Sequence, residues 1–395
     1  MRAKTLLNYL SLALLLTLTA KAEFSGELGI ESRLFLKQAQ YAEQLNALQT
    51  SAFVEAEWSF TPSAHTQLSF VPFIRLDTRD QNRTHADIRE AYWLYMADEW
   101  ELLAGFNREF WGVTESRHLV NVINQIDAVE SLDGEDYLGQ LMFNLSLQKD
   151  YGRFSFYLMP LFRERTFSAA EGRLRAAAVV DKNSTKYQSN AKQWHPDFAL
   201  RYAHYMGDWD LGLSYFDGTS RAPRLVINSS QTHLIAHYDQ IKQLAVDLQY
   251  TDQQWLWKFE GLLREGQGHT FLASVIGLEY SWFQWLASNA DLGFLIEHLY
   301  DGRDLEEAPR SQQDNDIFLG LRYSLNDFQD SALLLGLMRD LDDGSSSLRL
   351  EAERRLGSHL KLELEAQLFI NSSANATSRA FQNDDFIVLR LAHHY

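Results

Sequence analysis

A two-residue alternation of apolar and polar side chains is the feature that most constrains this chain. Between residues 359 and 370, Leu360, Leu362 and Leu364 alternate with charged residues, and Ala366, Leu368 and Ile370 continue the apolar set. An α-helix would scatter these side chains around its circumference, whereas a strand places them on one face. Segments 347–356 and 385–395 repeat the pattern, so we predict consecutive β-strands.

Similar segments occur along most of the chain. We predict strands near 24–35, 50–60, 66–77, 89–98, 100–107, 140–149, 152–162, 197–206, 209–217, 232–250, 253–265, 271–282, 287–300, 316–325, 331–341, 346–356, 359–370 and 385–395. The even total of 18 suits a bacterial single-chain barrel. Sixteen remains the alternative, because regions 89–107 and 232–265 can be divided differently.

The connections between these strands alternate between short turns and long polar segments. The long ones are predicted at 36–49, 78–88, 108–139, 163–196, 218–231, 301–315 and 371–384. Short periplasmic turns and long outer loops are typical of an all-β, transmembrane, antiparallel up-and-down β-barrel. A β-sandwich or solenoid is the competing fold, but a sandwich of this length would normally divide into domains with visible linkers.

The N-terminus reads as a secretory signal peptide. Arg2 and Lys4 precede an apolar run from Leu6 to Leu18, and Ala20-Lys21-Ala22 fits a small-x-small cleavage site. The run is too short for a membrane-spanning helix, which disfavours an uncleaved anchor. We therefore expect a signal peptide at 1–22 and one barrel domain at 23–395.

Composition excludes several classes of protein. The net charge of −17 disfavours nucleic acid as a partner, because phosphate binding needs a basic surface. A mean hydropathy of −0.30 disfavours a helical membrane protein, whereas a barrel exposes only every second strand residue to lipid. We find no clustered metal-ligand spacing and no phosphate-binding glycine loop, so no metal or cofactor is expected.

Three segments carry a resemblance to a known class. These are Asn107-Arg108-Glu109-Phe110-Trp111-Gly112, residues 121–125 (NVINQ) and the closing aromatic Tyr395, although His393 stands where a second aromatic is more usual. With the strand pattern, they make the chain similar to porin-like Gram-negative outer-membrane β-barrels.

The resemblance implies an outer-membrane pore for passive passage of small polar or charged solutes. It implies outer-membrane lipid and lipopolysaccharide as surroundings and assembly by the barrel-assembly machinery through the C-terminal strand. A homo-oligomer is left open. A plugged barrel with a binding, adhesion or assembly role is the alternative, and an outer-membrane hydrolase is a further one.

Segment 108–139 follows the fifth predicted strand, and its apolar residues, such as Trp111 and Ile123, require burial. In porins the third outer loop folds into the barrel and narrows it, and the resemblance implies the same here. The candidate constriction residues are Glu115, Arg117, Asp127, Glu130 and Asp133. The candidate pore-wall residues are Arg33, Arg75, Arg163, Arg165, Arg201, Arg264, Arg322, Arg349 and Arg390. The alternative is that these charges only pair and fill a wet interior.

Segment 163–196 is basic, with Arg163, Arg165, Arg173, Arg175, Lys182, Lys186 and Lys192. It could attract anionic solutes or lipopolysaccharide phosphates, or it could be a solvated outer loop. His195 and Asp197 stand close together, but no motif links a histidine to a nucleophile. We therefore expect no enzymatic activity.

Overall fold

The computed structural model describes residues 21–311, 313–372 and 378–395. Among these residues, 18 strands form one antiparallel sheet, which closes because the first strand pairs with the last. The barrel strands are β1 (Lys21–Phe35), β2 (Leu48–Ser63), β3 (Thr66–Asp77), β4 (His85–Met96), β5 (Trp100–Asn107), β6 (Gln140–Lys149), β7 (Gly152–Met159), β10 (Asp197–Met206), β11 (Trp209–Thr219), β14 (Gln240–Asp252), β15 (Trp255–Glu265), β16 (Phe271–Trp282), β17 (Asp291–Asp301), β18 (Asn315–Ser324), β19 (Ala332–Asp340), β20 (Ser346–Leu356), β21 (Leu360–Ile370) and β22 (Phe386–His394).

The predicted fold class and the count of 18 are therefore confirmed, and the alternative of 16 strands is wrong. Residues 1–20 of the predicted signal peptide lie outside the described residues. Lys21 and Ala22 begin β1 and pair with Thr61 and Phe60 on β2.

Four short strands form a second sheet outside the barrel. They are β8 (Val179–Val180), β9 (Lys186–Tyr187), β12 (Arg224–Ile227) and β13 (His233–Tyr238). The prediction of one strand over 232–250 was wrong, because β13 joins this small sheet and β14 begins only at Gln240. Alternation continues across Asp239, and a local period cannot reveal which sheet a strand joins.

The two faces of the barrel strands differ in exposure as the alternation requires. On β16, Leu272 and Ile276 are more than half exposed, whereas Ala273 and Val275 between them are buried. Leu389 and Leu391 on β22 are exposed in the same way. The exposed side chains form the outer, apolar face that meets lipid in barrels of this kind.

The buried core lies on the opposite face of the wall. Trp111, Val120 and Ile123, from the segment after β5, share one hydrophobic cluster with inward-facing residues of ten strands, β5–β7, β10, β11 and β14–β18. Among the described residues, no helix is long and apolar enough to cross a membrane.

Candidate functional site: the lumen and segment 108–139

Most of the apolar residues of segment 108–139 are buried, whereas Phe110 is exposed. Trp111 is 2% exposed, and Val120 and Ile123 are 0% exposed. The Trp111 ring meets Tyr157 edge to face at 5.6 Å, and the Arg201 guanidinium lies 5.0 Å from its centroid. Such burial removes the apolar residues from water, which explains why a long connection can be held in one place.

One wall carboxylate accepts four hydrogen bonds from this segment, three from backbone N–H groups and one from a hydroxyl. Glu260 on β15 is 0% exposed. Its Oε1 accepts from the Val113 N–H (2.7 Å), the Thr114 N–H (3.0 Å) and the Thr114 hydroxyl (2.8 Å), and its Oε2 accepts from the Val120 N–H (3.0 Å). A buried carboxylate is stable only when its lone pairs are satisfied, so the loop and Glu260 depend on each other.

A second wall carboxylate binds the next residues of the segment in the same way. Glu297 on β17 accepts from the Glu115 N–H (2.9 Å) and the Ser116 N–H (2.8 Å), and also from the Ser116 hydroxyl. Glu260 and Glu297 were both missed by sequence reasoning. Each is an inward-facing acid of its strand, but the loop contacts that supply its hydrogen-bond donors are not visible in the sequence.

The motif noted in the sequence has a structural explanation. The Asn124 amide nitrogen donates to the carbonyls of Asn107 and Leu138, both at 2.9 Å, and its oxygen accepts from the Glu109 N–H at 2.8 Å. Asn124 therefore ties the two ends of the segment together. Gly112 has φ of +139°, and a Cβ there would lie 2.8 Å from Glu260 Oε1, so glycine is required.

Three of the candidate constriction residues pair with arginines predicted to line the wall. Glu115 meets Arg322 on β18 at 2.6 Å. Glu130 meets Arg75 on β3 at 2.6 Å, and Asp133 meets Arg349 on β20 at 2.6 Å. The structure therefore brings these loop acids and wall arginines together.

The other two candidates have partners that sequence reasoning missed. Arg117 binds Asp301 at 3.0 Å. Asp127 binds Arg89 at 2.8 Å and lies 3.2 Å from the His85 ring. Arg89 was overlooked because the predicted strand started at residue 89, whereas β4 begins at His85 and places Asp87 and Arg89 on its buried face.

The surroundings of two loop carboxyls, Asp127 and Asp136, shift their pKa values in opposite directions. Burial opposes ionisation of Asp127, but the His85 hydrogen bond and the Arg89 charge outweigh it and lower its pKa to about 2. Burial, together with the charges of Asp133 and Glu130, raises the pKa of Asp136 to about 7. Protonation of Asp136 near neutral pH therefore changes the charge of the loop.

His85, Asp127 and Glu130 could converge on a metal ion, since their ligand atoms lie within 4.8 Å of one another. Both carboxylates, however, already form ion pairs with the guanidinium groups of Arg89 and Arg75. A metal ion would have to displace buried arginines, so we interpret the group as an ion-pair network.

The remaining wall arginines are placed as follows. Arg33 lies beside Glu31, Arg201 binds Asp247 at 2.8 Å, Arg264 donates to Gln243, and Arg390 binds Glu27 and Glu363. Arg163 and Arg165, the two other candidate wall residues, lie in the segment that follows β7, which ends at Met159. Arg163 nevertheless reaches Asp87 at 2.6 Å from the following loop.

The basic segment 163–196 divides into two parts. Arg173 is buried, binds Asp384 at 2.6 Å and donates to backbone carbonyls, and Arg175 also donates to carbonyls. Lys182, Lys186 and Lys192 are exposed. The predicted pair of His195 and Asp197 is present at 3.1 Å, but Asp197 also binds Arg221 at 2.6 Å and Thr219, as expected for a structural carboxylate.

Two cavities with shared lining residues lie beside segment 108–139. The larger, of about 420 Å³, lies between Glu130, Asp133 and Asp136 on the loop and the wall formed by β1, β3 and β18–β22. The smaller, of about 220 Å³, lies between the loop and β18–β22. Asp133 and Arg349 line both cavities.

No protein-family model matches this sequence, and no curated protein matches it. Solved structures match its fold over almost the whole chain. OccAB1 of Acinetobacter baumannii has a TM-score of 0.55 at 8% identity, covering 95% of this chain and 96% of that one. OccK5 (OpdH) of Pseudomonas aeruginosa has a TM-score of 0.53 at 11% identity, covering 95% and 97%, and OpdQ of the same organism has 0.52 at 10%, covering 95% and 98%.

These identities are low, so the similarity concerns the fold. The closed 18-strand sheet and the outward apolar face agree with it. The chain therefore has the fold of a porin-like Gram-negative outer-membrane β-barrel.

Proposed function

We propose that this protein is an outer-membrane pore for passive passage of small polar or charged solutes, narrowed by segment 108–139 folded inward as its third outer loop. The observation that carries the proposal is the binding of the loop backbone to Glu260 and Glu297, two buried carboxylates of the wall. The apolar cluster joins the loop to ten strands, and the cavities beside Asp133, on the side of β1, β3 and β18–β22, support a passage there.

Export of the protein and its location in the outer membrane are part of the same proposal. Residues 1–22 are removed on export. The barrel-assembly machinery then recognises the C-terminal strand and inserts the chain in the outer membrane. Exposed lysines on the outer loop at 182, 186 and 192 suit contact with lipopolysaccharide phosphates. The protein acts as a pore and not as an enzyme.

A plugged barrel is the second candidate, and the ion pairing of all five candidate constriction residues favours it. A planar-bilayer recording of the purified barrel separates the two. A pore gives discrete single-channel steps, and deletion of 113–134 increases their size several-fold, because an 18-stranded barrel is wide enough for an aqueous channel. Absence of steps at every voltage would support the plugged barrel.

The deletion removes part of the buried core, so a milder variant is also needed. Glu130→Gln keeps the side-chain volume and weakens the interactions with Arg75 and His85. If both variants fold and conduct like the parent, the segment does not narrow the pore.

A further inference from the structure

The two cavities beside segment 108–139 share one ion pair in their linings. Asp133 on the loop and Arg349 on β20 lie 2.6 Å apart. Both residues line the larger cavity and the smaller one, as do Glu351 and Glu365. A solute that moves from one cavity to the other therefore passes the Asp133–Arg349 pair.

The charge of the lining is strongly one-sided. Eight carboxylate side chains and five arginines line the larger cavity, and neither lysine nor histidine does. Five carboxylates and one arginine line the smaller cavity. Acids remain in excess when Asp136 is protonated. A narrow passage with an acidic excess attracts cations and repels anions.

The arginines of this passage are already engaged by acids. Arg33 lies against Glu31, Arg75 binds Glu31 and Glu130, Arg322 binds Glu115 and Glu279, and Arg390 binds Glu27 and Glu363. An anionic solute would have to take a guanidinium away from its carboxylate and leave that acid unpaired, which is costly in a low-dielectric interior.

A cationic solute meets a different situation at Arg349. This guanidinium lies beside Glu351 and 3.8 Å from Glu365 as well as bonding to Asp133. Arg349 can therefore turn to these two acids while an incoming ammonium or guanidinium group takes Asp133. Every charge keeps a partner during the exchange, so the barrier to a cation is low.

We propose that the passage selects small organic cations bearing an ammonium or guanidinium group, and that the Asp133–Arg349 pair is the exchange point that they cross. This inference rests on the proposed function, because it requires a conducting pore. It adds a substrate class and the residues that determine specificity.

The test is the reversal potential of the purified full barrel in a planar bilayer under a KCl gradient. The wild type is expected to favour K⁺ over Cl⁻. Asp133→Asn should bring the permeability ratio severalfold closer to one, and Arg349→Gln should raise both the ratio and the conductance. Guanidinium chloride added to one side should interrupt the K⁺ current of the wild type and interrupt that of Asp133→Asn less.

The matched controls are Asp330→Asn and Arg355→Gln, which remove the same charges from an exposed ion pair of 3.2 Å at the short-turn end. They should leave the ratio unchanged. A wild type without cation preference, or controls that shift the ratio as much as the variants, would overturn the inference and leave the pore intact. Absence of conductance would overturn the proposed function itself.

Discussion

Glu260 offers the sharpest test of how segment 108–139 is held. Replacing it with alanine removes the acceptor of four hydrogen bonds, three from backbone N–H groups and one from the Thr114 hydroxyl. Each bond to a charged acceptor contributes about 1.5–3 kcal/mol, but the sum is not additive because water enters and the buried charge is also removed. We expect a net loss of about 3–5 kcal/mol in the free energy of local opening, as for other broken buried charge networks.

Hydrogen exchange of the folded barrel, followed by mass spectrometry, measures the free energy of local opening directly. Since 1.4 kcal/mol corresponds to a factor of ten, the protection of the Val113, Thr114 and Val120 amides should fall by roughly 100-fold or more in Glu260→Ala. Glu260→Gln retains one acceptor oxygen but turns an NH₂ group toward the Val120 N–H, so its loss should be about 1–3 kcal/mol.

Glu265→Gln is the matched control, because this exposed acid ends the same strand. It should exchange like the wild type. If Glu260→Ala also exchanges like the wild type over 112–121, the wall carboxylate does not hold the loop, and the reasoning is refuted.

Three further predictions follow from other parts of the molecule. Arg173→Met should destabilise the barrel by about 3–5 kcal/mol in denaturant titration, because it leaves the Asp384 carboxylate buried without a compensating charge. The double variant Arg173→Met with Asp384→Asn should recover part of this loss. No recovery would mean that the two residues act separately. The K⁺ preference should weaken as the pH falls through about 7, because Asp136, whose folded pKa is raised above its unfolded value, gains a proton there. Ionisation of this half-buried carboxyl also makes the folded state less stable as the pH rises from about 4 to 7. Asp136→Asn should remove both effects. Leu389→Arg should cost about 2–4 kcal/mol of folding free energy in lipid vesicles if the residue lies near the bilayer centre. Gln367 borders the smaller cavity, so Gln367→Arg should cost little. Equal costs would mean that the two faces are misassigned.

The barrel itself could be predicted from the sequence because its main signal is local. A period of two over 359–370 places Leu360, Leu362 and Leu364 on one face without knowledge of any partner strand. The errors occurred where that local signal is ambiguous. At 232–250 the alternation continues from β13 into β14 although the two belong to different sheets.

The candidate site could be predicted only in outline. The apolar residues of 108–139 indicated burial, and the sequence predicted that loop acids would face wall arginines, without assigning pairs such as Asp133 with Arg349. The individual pairings of Arg117 and Asp127, and the roles of Glu260 and Glu297, depend on which wall residues the loop contacts. Those contacts are determined by long-range packing, which no residue spacing encodes.

Chemical modification of the loop during current recording tests most directly whether segment 108–139 lines a conducting pore. The chain contains no cysteine, so Ser131→Cys introduces a single thiol beside the larger cavity. A permanently charged methanethiosulfonate, which carries a trimethylammonium group, should reduce the single-channel current in one discrete step. The same treatment of Ser288→Cys, at an exposed turn, should leave the current unchanged. If mass spectrometry shows complete modification at residue 131 and the current does not change, segment 108–139 does not line a conducting pore.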